Sequence, residues 1–203
     1  MLVIPARSDV RARPYESERL YFVPVEPMEA QDLWPAIDRS RELLKQWLPW
    51  VGFTVDMQTT IRFADACALD WDQGKAVRFA IHEKSSRALL GVVGLESCVH
   101  IHRAVELGYW LRADAQKRGF MSEAVRFAID FSFRHMGVHR IRVAAATDNH
   151  ASLSVIQRAG FRFEGVARQA EWCNDRWLDH AVFAMLSTDF MQRELSPVSS
   201  QRG

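Results

Sequence analysis

Hydrophobic and polar positions change period several times along the chain, and each change predicts an element. Arg19 to Val25 (RLYFVPV) clusters aromatic and β-branched residues and reads as a first strand. Over residues 28–48, Leu33, Ile37, Leu44, Trp47 and Leu48 recur at helical spacing, with a break expected near Pro35 and an end at Pro49. Residues 57–73 repeat that spacing through Ile61, Ala64, Ala68 and Trp71. Val77 to Glu83 and Ala88 to Cys98 read as paired strands around a Lys-Ser-Ser-Arg turn, and Ala104 to Leu111 as a further strand. Gly119 to Met136 carries the clearest helical pattern, through Phe120, Ala124, Phe127, Ala128 and Phe131, and Gly137 suits the position just past a helix end. His139 to Ala145 alternates as a strand, 150–159 is a short helix closed by Gly160, and 161–172 with 176–188 form a hairpin around Asn174 and Asp175.

The order is strand, two helices, three strands, helix, strand, helix, two strands. That is an α/β chain with a mixed sheet, mostly antiparallel in its first part. No repeat or low-complexity block divides it, so a single domain is expected over residues 16–190. Residues 1–15 and 191–203 read as flexible tails. The first bears arginine and proline, and the second closes on Ser-Pro-Val-Ser-Ser-Gln-Arg-Gly, with nothing to bury.

Composition narrows the function classes. The chain has 203 residues, enough for a core that folds alone. Lys plus Arg number 26 against 25 Asp plus Glu, so no overall field favours nucleic acid. No apolar run approaches 18 residues, so no membrane span is expected. The N-terminus has arginines but no continuous apolar stretch and does not read as a secretory signal. Cys67, Cys98 and Cys173 are odd in number and form no CxxC pair, which points to neither a disulfide framework nor a zinc site. A reducing cytoplasmic setting is the resulting expectation.

The candidate chemistry sits at two helix starts. A polar turn, Gln116-Lys-Arg-Gly-Phe-Met121, opens one helix, and Asp148-Asn149 opens another. Each is fed by its own strand. Free backbone amides at a helix start are what a phosphate needs, and two such starts suggest a split site for one long phosphorylated ligand. Gly119 lets backbone approach such a ligand without a Cβ in the way. Asn149 stands where a helix cap is wanted. On residue type alone, Ser152 is a hydroxyl in a first helical turn, Trp110 and Leu111 are sheet core, and Glu171 is a carboxylate on a hairpin.

Together, the Gln116-x-x-Gly119-x-Met121 turn, the Gly108-Tyr-Trp-Leu-Arg112 strand before it and the segment Ala145–Phe161 resemble the Gcn5-related N-acetyltransferases (GNAT), over about residues 18–190. Glu164-Gly165, Gln169-Ala-Glu-Trp-Cys-Asn-Asp175 and Leu43–Trp50 resemble its RimJ/RimL group, most of all the ribosomal-protein serine N-acetyltransferase branch. The resemblance implies a single mixed, mostly antiparallel sheet with a splayed central strand pair, flanked by helices. It also implies acetyl-CoA as cosubstrate and no metal. Gln116, Lys117, Arg118, Gly119, Phe120 and Met121 would then surround the pyrophosphate, Trp110 and Leu111 would run along the pantetheine arm, and Asn149 would touch CoA. Met121 stands where the family has a small residue, so its side chain is expected to turn into the core with Val125 and Ala128.

For the reaction, the resemblance implies Glu171 as base, through water, and Ser152 as acid at the departing sulfur. Glu96 and Glu106 are competing carboxylates. Trp47 or Trp50 would touch the acceptor, and Cys98 and Cys173 read as packing residues. The acceptor implied is a protein N-terminal α-amine, most plausibly of a ribosomal protein beginning with serine. Two alternatives stay open. One is a small amine, an antibiotic or a peptide toxin as acceptor. The other is a non-catalytic CoA-binding module, which Met121 slightly favours and the pair Ser152 and Glu171 argues against. The resemblance suggests a homodimer, with no interface stripe in the sequence to place it, and no direct contact with nucleic acid or membrane.

Overall fold

The computed structural model describes residues 1–195. Eight strands form one sheet: β1 (Tyr15–Glu16), β2 (Leu20–Pro24), β3 (Val77–Glu83), β4 (Leu89–Val99), β5 (Ala104–Leu111), β6 (Arg140–Ala146), β7 (Arg162–Cys173) and β8 (Arg176–Leu186). Their spatial order is β1-β2-β3-β4-β5-β6-β8-β7. Every neighbouring pair is antiparallel except β5 and β6. The helices are α1 (Arg7–Ala12), α2 (Ala30–Leu44), α3 (Met57–Asp72), α4 (Phe120–Asp130), α5 (His150–Ala159) and α6 (Ser187–Leu195).

Two cores lie on opposite faces of the sheet. Leu33 and Ile37 of α2 and Ala64 and Cys67 of α3 pack with Ala80, Val92 and Trp110. Phe120, Ala124 and Val125 of α4 and Ile156 of α5 pack on the other face with Phe22, Phe79, Val93 and Leu107. With helices on both sides, the first part of β4 reads as an unbroken apolar run, while β3 alternates Val77, Phe79 and Ile81 with Arg78, Ala80 and His82. The hairpin between β7 and β8 turns on Asn174 and Asp175, both at positive φ (51° and 59°), the conformation a two-residue hairpin loop requires.

The feature that positions the site is a divergence between β5 and β6. Their parallel pairing runs from Ala104↔Arg140 to Leu107↔Val143 and stops, although both strands continue. Beyond that point β5 is held by β4, as far as Gly91↔Leu111, and β6 by β8, as far as Ala146↔His180. Each strand follows its outer neighbour, so their inner edges part. This is the splayed central pair that the resemblance implies.

Three expectations are corrected. Helix α2 is not broken at Pro35. The carbonyl that loses its donor there belongs to the exposed Gln31, where water can bond it. The C-terminal tail does not begin at 191, because α6 runs through Leu195; the rest of that expectation, residues 196–203, lies outside the described residues.

The third correction concerns residues 1–15, which are packed rather than loose. Leu2 and Val10 are buried in the core, the Trp71 Nε1–H donates to the Pro5 carbonyl at 2.9 Å, and Val3 N–H donates to Met136 O at 3.0 Å. Arg7 bonds Asp72 and Glu26, and Arg11 bonds Glu26 and Glu29. Burial works against the Glu29 charge, but hydrogen bonds from His82 and Arg11 hold its carboxyl below the usual range. Val10→Ala is therefore expected to lower the unfolding free energy by about 1–2 kcal/mol in a urea titration, since two buried methyl groups are lost. A tail residue would show no change. Among the described residues, no helix is long and apolar enough to cross a membrane.

Candidate active site

The divergence of β5 and β6 opens a cleft of about 830 Å³, lined from both faces of the sheet. At one end β5 leads through a short 3-10 turn (Ala113–Ala115) into the start of α4. Lys117 (φ 61°) and Gly119 (φ 81°) are both left-handed, which turns successive amides toward one point. The first helical bond of α4 runs from Glu123 N–H to Gly119 O, 3.1 Å. Among the described residues, the amides of 117–122 have no protein acceptor. A concave set of free N–H groups at a helix start fits a pyrophosphate.

This turn is braced from below. The Arg19 guanidinium donates to Glu123 Oε2 (2.8 Å) and to the Arg118 carbonyl (2.9 Å) and lies over the Phe120 ring. A Cβ on residue 119 would meet Arg19 Nη2 at 3.3 Å. Glu123 is buried, yet hydrogen bonds from Arg19 and Ser17 keep its carboxyl below the usual range. Met121 is buried among Val125 and Ala128, as its departure from the family pattern led us to expect. Gln116, Lys117, Gly119, Phe120 and Met121 line the cleft. Arg118 does not: it turns outward to Glu83 and stacks over Phe120.

Across the cleft, α5 presents its N-terminus. Asn149 Oδ1 accepts from Ser152 N–H at 3.1 Å, a helix cap, and both residues line the cleft. The Ser152 hydroxyl lies 2.9 Å from the hydroxyl of Tyr109 on β5. Sequence reasoning passed over Tyr109, since 43 residues separate it from its partner. Burial pushes its phenol up to about 12, against the pull of the Ser152 hydrogen bond.

The sheet register sorts these side chains by face. Tyr109 packs against the α4–α5 core, whereas its neighbour Trp110 belongs to the α2–α3 core. Glu106 shares the parity of Trp110, and the pairings Glu106↔Glu96 and Glu106↔Arg142 place those residues on the same face. Arg142 shares parity with Ala146, which pairs with His180; Leu178, two residues from His180, pairs with Glu171. Glu171 and His180 therefore face the α2–α3 side, opposite Ser152 and Tyr109.

Three carboxylates line the cleft on that face, and they differ in their partners. Glu96 is held by two hydrogen bonds from Arg78, and Glu106 by Arg142. Among the described residues, Glu171 has only His180 as an ion-pair partner, Nε2 to Oε2 at 3.5 Å, a contact that is ionic only when the imidazole is protonated. His180 was also missed from sequence, because its place beside Glu171 follows from strand register alone. Trp47 closes the cleft from the end of α2 and packs on Ala146, Cys173 and Leu178. Trp50 does not reach the cleft: it stacks on Phe63 and lies 5.9 Å from Trp110, within the α2–α3 packing. No cysteine lines the cleft, and burial pushes Cys67 up to about 12 and Cys98 up to about 11.

Residues 19–162 match the family model described as an acetyltransferase (GNAT) domain. The ribosomal-protein-serine acetyltransferase of Escherichia coli (strain K12) is 27% identical over 170 residues, 84% of this chain and 94% of that protein. The probable N-acetyltransferase YjcK of Bacillus subtilis (strain 168) is 33% identical over 119 residues, 58% of this chain and 66% of that protein. Among solved structures, RimL, a ribosomal L7/L12 alpha-N-protein acetyltransferase in complex with coenzyme A, superposes with a TM-score of 0.80 at 24% identity, covering 84% of this chain and 95% of that one.

Proposed function

The chain belongs to the GNAT acetyltransferase family and is an acetyl-CoA-dependent acyltransferase, and from that premise we propose that its acceptor is the N-terminal α-amine of a protein, a ribosomal protein beginning with serine. The observation that carries the reading is the division of labour across the splay. The hydroxyl of Ser152 stands on one face of the sheet and the carboxylate of Glu171 on the other, with an open cleft between them. Direct attack needs that arrangement, a base where the amine arrives and a donor where the sulfur departs. The choice of acceptor rests on the likeness to the ribosomal-protein-serine acetyltransferase, which extends over 84% of this chain.

In this reading the amides of 117–122 hold the pyrophosphate, and the free inner edge of β5 pairs with the pantetheine arm like an added strand. An amide on that edge donates to the thioester oxygen. Glu171 takes the amine proton through water, and Ser152, as acid, directs its O–H at the departing sulfur. Trp47 forms the acceptor wall. A cysteine nucleophile has no place, since no thiol reaches the cleft and the buried ones hold their protons. An α-amine, with a reference pKa near 8, is about a tenth neutral at pH 7, so one water-linked carboxylate is base enough.

Thiol release from acetyl-CoA tests this with a panel: peptides beginning with serine, alanine or methionine, a lysine peptide blocked at its N-terminus, and a polyamine. A serine-first peptide is expected to turn over at least about tenfold faster than the blocked lysine peptide, because far less lysine is neutral at pH 7. Faster turnover of the polyamine would replace the proposed acceptor. Tight CoA binding with no turnover of any amine would leave a binding module.

A further inference from the structure

Ser152 has a hydroxyl that can point two ways, and its partner in that choice is Tyr109, whose phenol also lies 3.4 Å from the Ser152 carbonyl. Its Oγ lies 2.9 Å from the Tyr109 hydroxyl, with either atom able to donate. If Ser152 donates to Tyr109, its proton faces the sheet and is lost to the cleft. If Tyr109 donates, the serine proton is free to turn toward the space between β5 and α5. Tyr109 is a residue of the splayed part of β5, beyond the last pair with β6, so its side chain and Ser152 share that opening.

We propose that Tyr109 is a positioning residue that donates its hydroxyl proton to Ser152 Oγ and so fixes the serine O–H as a donor toward the sulfur of CoA. The inference rests on the placement of Ser152 at the sulfur given above, and narrows its role there from acid to hydrogen-bond donor. Bonding of the serine oxygen by the phenol also polarises the serine O–H and strengthens its own donation. Both hydroxyls keep their protons. Burial holds the phenol at about 12, whereas a thiol loses its proton near 8.5, so no proton passes from Tyr109 to a thiolate. The balance is then complete. The amine lone pair forms the C–N bond, the C–S bond breaks with its pair on sulfur, the amine proton goes to Glu171, and the thiolate leaves hydrogen-bonded to Ser152.

The test reads the sulfur directly and needs no acceptor. Bound CoA is titrated through its thiolate absorbance in the wild type, Ser152→Ala, Tyr109→Phe and the double variant, with CoA affinity checked by calorimetry. A hydrogen bond that favours the thiolate lowers the pKa of the bound thiol. Tyr109→Phe is expected to raise that pKa by about 0.7 unit, equivalent to about fivefold in the thiolate equilibrium. Ser152→Ala is expected to raise it at least as far, and the double variant no further than Ser152→Ala, since a group acting through Ser152 has nothing left to act on. Turnover of a serine-first peptide should fall about fivefold in Tyr109→Phe with the same non-additivity, and the Michaelis constant for acetyl-CoA should hold. A shift in Ser152→Ala without one in Tyr109→Phe, or additive shifts, overturns the role of Tyr109 and leaves that of Ser152 standing. No shift in Ser152→Ala removes Ser152 from the sulfur, and both readings fall together.

Discussion

Glu171→Gln is expected to cut turnover of a serine-first peptide about a hundredfold or more at pH 6.5 and distinctly less at pH 9, with acetyl-CoA affinity unchanged. The size is the usual range for loss of a general base. The pH dependence follows from the acceptor: an α-amine is mostly protonated at pH 6.5 and mostly neutral at pH 9, where it needs little help. A carboxylate that only attracted the cationic terminus would instead raise the acceptor's Michaelis constant. The structure adds a reason to choose this carboxylate, because Glu96 and Glu106 are each held by an arginine. Those bonds occupy carboxylate oxygens and fix their orientation, whereas among the described residues Glu171 has only His180 as an ion-pair partner. Near-normal turnover of Glu171→Gln at pH 6.5 would move the assignment to one of those two, and the same pair of pH values would then test each.

Gly119→Val is expected to weaken acetyl-CoA binding tenfold or more by calorimetry, with the far-ultraviolet circular dichroism unchanged. Two causes act together. The residue sits at φ 81°, where a β-branched side chain is strained, so the turn relaxes and its amides lose their common focus. A side chain there also meets the Arg19 guanidinium, 3.3 Å from the added Cβ, and pushes on the bonds that Arg19 makes to Glu123 and the Arg118 carbonyl. Unchanged affinity with an intact fold would remove the pyrophosphate from this turn.

Of these two residues, local pattern made Gly119 visible, whereas Glu171 stood out only through the family resemblance. Gly119 shows itself as glycine at a helix start, and Asn149 as a cap three residues before the Ser152 amide it accepts from. The strands were legible because β3 sets Val77, Phe79 and Ile81 at alternate positions, β4 opens on an apolar run, and β7 and β8 flank a two-residue turn. What escaped lies in contacts between distant segments. Tyr109 and Ser152 meet only because β5 and α5 flank the same opening, and His180 reaches Glu171 only through the β7–β8 register. Trp50 and Arg118 were placed at the site by their neighbours in sequence, but Trp50 had aromatic partners to pack on and Arg118 had Glu83 to bond. The N-terminal segment misled for a similar reason. Leu2, Val3, Ile4 and Val10 show no period long enough to declare an element, and the carboxylates that hold Arg7 and Arg11 lie well downstream.

That segment carries a consequence for how the chain comes to be folded during synthesis. Val3 bonds the carbonyl of Met136, and Pro5 bonds the indole of Trp71. At about 5–20 residues per second, on the order of ten seconds separates translation of Val3 from that of Met136. Until then Leu2 and Val10 are exposed apolar groups beside a cluster of arginines, a segment suited to transient capture by other chains. The far side of the sheet waits longer still, since β8 enters between β6 and β7 after both have been made. Vectorial growth from the ribosome thus leaves this fold open at two places at once, and the last strand to emerge closes the second.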